Sequence, residues 1–229
     1  MKFLIQTIEN KVVHDFAFTL IESIKYQNWL TKSKDAYYEL SECNYKNDYI
    51  PIGSVEFVHS YLYEQFGITP KPINIPDELQ SMYYTLRKVV NGTEKDIKEK
   101  SFVKSADKIK GFTEVCNEAP KGNYQISELI DIISEWRAFV FKGELVGLQN
   151  YSGDFTCFPN LFKIKEAIKE YKSQPLAFTL DFGILNETNH TCVIEAHNFY
   201  SCGLYGFANH NILPFMFSQS FHQIIKSAI

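Results

Sequence analysis

The stretch "SEWRAFVFKGELVGLQNYSGDF" constrains the fold more than any other part of the chain. It is rich in aromatic and branched apolar residues until Lys142-Gly143 interrupts it, and two strand-like runs separated by a short Gly-containing break predict a β-hairpin. A hairpin fixes antiparallel pairing, so this region cannot belong to a wholly parallel, helix-covered sheet. The surrounding sequence agrees: "SFVKSA", "NYQISELIDI", "PLAFTLDFGIL" and "HTCVIEAH" read as strands, and one helical segment, "NLFKIKEAIKEYKS", interrupts them.

The opening of the chain has a different rhythm. "KFLIQTI" reads as a strand, and "HDFAFTLIESIKYQNWL" carries Phe16, Leu20, Ile24 and Trp29 at helical spacing. In "YIPIGSVEFVHSYLYEQFG", Ser54 is placed to cap a helix that presents Phe57 and Tyr61 on one face and stops at Gly67. The proline-rich "ITPKPINIPD" then reads as a linker, after which "ELQSMYYTLRKV" is expected to be helical. The expected fold is therefore α+β: a small α/β lobe at 1–76, then a region at 77–229 built on a mostly antiparallel sheet with few helices.

With 229 residues, 45% of them hydrophobic, the chain can bury a core for one domain or two small ones. A net charge of −4 provides no strong electrostatic sign of a nucleic-acid partner. The five cysteines form no CxxC pair and read as free thiols of a reducing compartment. "MKFLIQTI" is too short for a signal segment and no run is long enough to span a membrane, so the expectation is a cytoplasmic protein without a membrane partner.

Several polar residues stand where an apolar strand pattern would not place them by chance. Lys104 ends the apolar part of "FVKSADKIKGF", with Lys108 and Lys110 in the loop closed by Gly111; two such lysines can grip phosphates from two directions, although for lysines taken alone a solvated charged loop is the better explanation. Arg137 shares a strand face with Glu135, Phe139 and Phe141, and a buried arginine needs either a carboxylate or a phosphate. Asp181 and Glu195 are each expected to end an apolar strand; on neighbouring strands they would meet at one edge, and with Asn198 nearby they suit Mg2+.

In this order, the strand lysine, strand arginine with its hairpin, strand aspartate ("LDFGIL") and strand glutamate ("VIEAHNFYSCGLYG") resemble the ATP-grasp superfamily, and within it a clade named for two arginines and a lysine. The resemblance covers residues 77–210. It implies an ATP-grasp fold and an ATP- and Mg2+-dependent ligase that activates a carboxylate as an acyl phosphate. Lys104 and Lys110 would bind ATP phosphates and Arg137 would stabilise the transferring group. Ser127, Glu128 and Leu129 would meet adenine, and Asp181 and Glu195 would ligate magnesium. Arg87 would serve the substrate side, and Tyr205, in the aromatic turn Gly203–Gly206, the entry of the acceptor, be it a small molecule, a peptide or RNA.

Two departures from the family pattern stand out. Glu195-Ala196-His197 replaces the usual Glu-x-Asn, leaving His197 by alignment or Asn198 by chemistry as the further ligand, and Ser105 replaces the usual proline after the phosphate lysine. Competing readings are a zinc site from Cys192, His197 and Cys202, whose spacing matches no common finger, an RNA-repair ligase of ATP-grasp type, and a non-catalytic ATP-binding module. Lys-x-Asp-Gly, Gly-x-Ser-x-Gly and P-loop motifs are absent, which removes covalent nucleotidyl transfer, serine hydrolysis and P-loop chemistry.

Overall fold

Lys2–Gln6 forms β1, the central strand of a three-stranded parallel sheet in which β2 (Tyr37–Ser41) and β3 (Ile50–Ile52) flank it. The computed structural model describes residues 1–43 and 46–227. Parallel neighbours need a crossover, and α1 (Asp15–Thr31) supplies it between β1 and β2. Phe16, Leu20 and Ile24 are buried, as their spacing predicts, whereas Trp29 is 73% exposed. It lies five positions beyond Ile24, about 140° round the helix from that residue. α2 (Val55–Phe66) follows β3 with the expected ends: the Ser54 side chain accepts from the Phe57 amide at 3.2 Å, and Gly67 closes the helix at φ +69°.

Past the prolines, the helix expected over "ELQSMYYTLRKV" shrinks to a 3-10 turn at Asp77–Leu79 and a single turn, α3 (Met82–Thr85). Leu86 adopts a left-handed conformation at φ +52° and ends it, and the chain continues as β4 (Val89–Thr93). With β5 (Ser101–Ser105), β6 (Thr113–Cys116) and β7 (Asn123–Ser127) this makes an antiparallel sheet ordered β4-β7-β5-β6. Val103, Tyr124 and Ile126 form its apolar core with Ile97.

β8 (Ile132–Phe141) and β9 (Glu144–Gly153) are the arms of the predicted hairpin. Lys142 and Gly143 both have positive φ, +52° and +80°, the two-residue turn whose twist matches that of paired strands. α4 (Leu161–Glu170), β10 (Ala177–Leu185) and β11 (Thr191–Asn198) complete a second sheet, ordered β11-β10-β8-β9. Ile164, Ala167 and Ile168 of α4 pack with Ala138, Val140, Phe178, Leu180 and Phe182. Those strand residues are all even-numbered, so the two-residue period leaves Glu135, Arg137 and Asp181 on the opposite face. The antiparallel region is thus two four-stranded sheets in an α+β fold.

The chain divides into two compact units, one of Met1–Pro70, Pro175–Ala177 and Asn198–Ile229, the other of Lys71–Gln174 and Phe178–His197. Residues beyond His197 therefore group with the N-terminal lobe, a return that strand and helix patterns do not encode. α5 (Leu213–Lys226) accounts for it: Leu213, Met216, Phe217 and Phe221 are buried, and the Phe217 ring packs on Phe16 and Phe199. Among the described residues no helix is long and apolar enough to cross a membrane.

Candidate active site

Neighbouring strands β8 and β10 bring Arg137 to Asp181. The guanidinium donates Nε to Asp181 Oδ1 at 2.8 Å and Nη2 to Oδ2 at 2.7 Å, a two-pronged pairing of fork and carboxylate. Arg137 is 7% exposed and Asp181 1%, so each needs the other. Glu135, the partner that strand alternation suggests, is engaged elsewhere and accepts from the Tyr151 hydroxyl at 2.6 Å. Tyr151 also lays its ring 5.5 Å from the Arg137 guanidinium. Glu135 pairs with Ser152 but Trp136 with Asn150, so Tyr151 is the extra residue of a β-bulge, a device that re-aims a side chain. Nothing in the sequence of the hairpin marks that slip. Burial is the main cause that pushes the Tyr151 phenol far above its ordinary range.

Asp181 lies inside β10, which runs on through Phe182, Gly183 and Ile184, and Glu195 inside β11, which runs on to Asn198, rather than at strand ends. The two strands are neighbours. Asp181, Glu195 and His197 each offer a ligand atom, and these atoms lie within 4.8 Å of one another. His197 Nε2 stands 2.9 Å from Glu195 Oε1 and 3.8 Å from Asp181 Oδ2. Glu195 also forms an ion pair with Lys104 of β5. Burial, reinforced by Lys104 and Arg137, outweighs the pull of Asp181 and holds the His197 imidazole down at about 4, so it is neutral at neutral pH. Burial likewise lowers the Lys104 ammonium to about 8. Strand alternation puts Asn198 on the face opposite Glu195 and His197. Neither Cys192 nor Cys202 joins this group, which among the described residues is the one arrangement of His, Cys, Asp and Glu able to hold a metal.

A small cleft adjoins the cluster, lined by Phe102, Lys104, Ser127, Ile194 and Glu195 together with Arg87. Arg87 is buried; its Nη1 donates to the Thr85 and Val193 carbonyls at 3.1 and 3.0 Å. Glu128 fastens the end of β7 to residue 88: its carboxylate accepts from the Lys88 amide at 2.8 Å while its own amide donates to the Lys88 carbonyl at 3.0 Å. Leu129 is exposed. Lys110 stands in the loop after β5 at φ +51°, followed by a Gly111 amide that donates to the Lys108 carbonyl. Ser105, in the place of a proline, turns that loop through its hydroxyl, which accepts from the Asp107 and Lys108 amides.

Asn74 ties the cluster together and was not legible in the sequence, where it reads as part of a linker. Its carbonyl accepts from the Ala196 amide, between Glu195 and His197, at 2.7 Å, and its Nδ2 donates to the Ser105 carbonyl, next to Lys104, at 3.0 Å. The backbone there is left-handed, φ +55°, which asparagine tolerates better than most residues. Gln125 anchors the same segment by exchanging two hydrogen bonds of 2.9 Å with the Ile75 backbone. Tyr205 belongs to the other unit, as does Asn198. Tyr205 is partly exposed at φ +49°, with its ring packed so close to Gly203 that a Cβ there would lie 2.8 Å from it.

Similarity to known proteins follows the same lines. The family described as "ATP-grasp domain, R2K clade family 2" matches residues 84–214. Among solved structures, the chain is similar to D-alanine–D-alanine ligase from Bacillus anthracis, at 10% identity over 100% of this chain and 99% of that one, with a TM-score of 0.54. N5-carboxyaminoimidazole synthetase from Staphylococcus aureus aligns at 10% identity over 96% of this chain and 77% of the other, TM-score 0.55. The ATP-grasp ligase PsnB, complexed with minimal precursor, aligns at 8% identity over 95% and 99%, TM-score 0.52. No curated protein sequence matches. The likeness in fold, and a family match that spans more than half of the sequence, make this chain a member of the ATP-grasp superfamily, in its R2K clade.

Proposed function

We propose that the chain is an ATP- and Mg2+-dependent ligase that converts a carboxylate into an acyl phosphate and passes the acyl group to an amine or similar nucleophile. The observation that carries this reading is the charge pattern of the second unit. Two cations, Lys104 and Arg137, are matched one to one by two acids, Glu195 and Asp181, beside a cleft that also holds Arg87. Such a set can exchange partners with a metal–nucleotide pair: phosphates replace carboxylates on Lys104 and Arg137, and the acids are freed to hold a cation. The two carboxylates fit a divalent ion. Bound there, Mg2+ would neutralise the phosphate oxygens during transfer.

In this reading Lys104 and Lys110 hold phosphates, Arg87 serves the substrate side of the cleft, and Ser127, Glu128 and Leu129 border adenine. Arg137 acts on the transferring phosphoryl group, with Tyr151 steadying its plane. The substrate carboxylate oxygen attacks the γ-phosphorus as the bond to ADP breaks; the nucleophile then attacks the acyl carbon, phosphate departs with the C–O electron pair, and the nucleophile's proton goes to solvent. Tyr205 is assigned to the acceptor.

Calorimetric titration with ATP and Mg2+, followed by mass spectrometry of the products with candidate carboxylates and amines, tests the proposal. Saturable binding that Lys104→Ala weakens, with ADP as product, is expected. AMP as product, or no binding at all, would overturn it.

A further inference from the structure

Resting on that reading, we propose that His197 is a ligand at the metal site of this chain and shifts its preference toward Mn2+ relative to Mg2+, the site accepting both ions. The donor atoms facing one another are a carboxylate oxygen of Asp181, one of Glu195 and an imidazole nitrogen of His197. Mg2+ is a hard ion that prefers an all-oxygen shell, while imidazole favours transition ions. Two carboxylates and phosphate oxygens still make an oxygen-rich shell, which Mn2+ accepts while gaining from the nitrogen. The ring already faces both acids, since Nε2 is 2.9 Å from Glu195 Oε1 and 3.8 Å from Asp181 Oδ2. A neutral imidazole bound through Nε2 carries its single proton on Nδ1. Ala196, between the two β11 ligands, is held by the Asn74 carbonyl at 2.7 Å, which fixes the backbone from which both side chains project.

The test is equilibrium binding of Mn2+ to the full chain, with a non-hydrolysable β,γ-methylene analogue of ATP, followed by electron paramagnetic resonance and by competition with Mg2+. The ratio of Mn2+ to Mg2+ affinity is expected to fall about tenfold or more in His197→Asn, in line with the effect of replacing a residue of a metal site. A ratio unchanged within about twofold overturns the inference and leaves the ligase reading standing. Pulsed resonance on the wild-type complex gives an answer that does not depend on the variant folding: a nitrogen coupling from a histidine ring supports the proposal, and its absence overturns it. If the wild type holds neither ion while still binding the nucleotide analogue, both this inference and the metal part of the ligase reading fall, which separates the two failures.

Discussion

Arg137 shows what a single residue reveals and conceals. That a strand arginine among apolar neighbours must have a partner is legible from sequence, because an unpaired buried charge is too costly. Which partner it takes is not: Glu135 is two positions away on the same strand, yet Asp181 wins because β10, not another segment, lies next to β8. Arg137→Met should therefore destabilise the protein by roughly 3–5 kcal/mol by stranding Asp181, and Arg137→Met with Asp181→Leu should recover part of that loss. Glu135→Gln should cost about 1 kcal/mol, the worth of one weakened hydrogen bond. Urea unfolding of the four proteins decides it; equal costs for Glu135→Gln and Arg137→Met would reverse the assignment. Asn74, by contrast, was hidden because its service is rendered by a backbone carbonyl and an amide in a stretch whose prolines suggest only a linker.

Caps and turns were the legible parts at the scale of elements. Ser54, Gly67 and Lys142-Gly143 fall where local chemistry puts them, since each acts through its own backbone and near neighbours. The helix expected over "ELQSMYYTLRKV" came out as the short α3, and the strands β2, β4 and β6 escaped notice, because tertiary pairing, rather than propensity, decides such brief segments. The bulge in β8–β9 belongs to the same class, and Gly153 ends that hairpin in a conformation no other residue fits. Its φ is +74°, and a Cβ would lie 2.1 Å from the Ile133 carbonyl oxygen. Gly153→Ala should thus cost more than about 2 kcal/mol, the left-handed penalty plus displacement of backbone. Because the shift is passed to the bulge, the Tyr151–Glu135 contact should loosen too, visible as faster amide exchange at residues 150–153 than at the Lys142-Gly143 turn.

The composition of the whole molecule gives few clues to its acid response, but the structure does. His59 donates to or accepts from the Tyr200 hydroxyl at 2.9 Å, and burial lowers its pKa. His197 is lowered also, to about 4. An unfolded chain takes up these protons near the ordinary histidine value while the folded one resists, so stability should fall as pH drops below about 6.5. For His197 the loss continues down to about pH 4. His59→Gln should flatten the slope of unfolding free energy between about pH 7 and 5; an unaltered slope would show that other groups set it. Equally, a chain cut after residue 197 should leave segment 1–70 labile to proteolysis, since it lacks the buried Phe199, Met216, Phe217 and Phe221.

That return of the C-terminal segment bears on the order in which the protein can mature. A ribosome delivers residues 1–70 before the second unit, yet the lobe they belong to cannot complete its core until α5 has emerged, after the whole of that unit. The second unit, closed by residue 197, has all its parts beforehand. Domains commonly fold in the order of their synthesis; here the part made earlier is finished later, and nascent residues 1–70 must wait with Phe16 and Tyr61, whose rings pack on Phe217 and Phe221 of α5, uncovered, a natural point for a chaperone to engage.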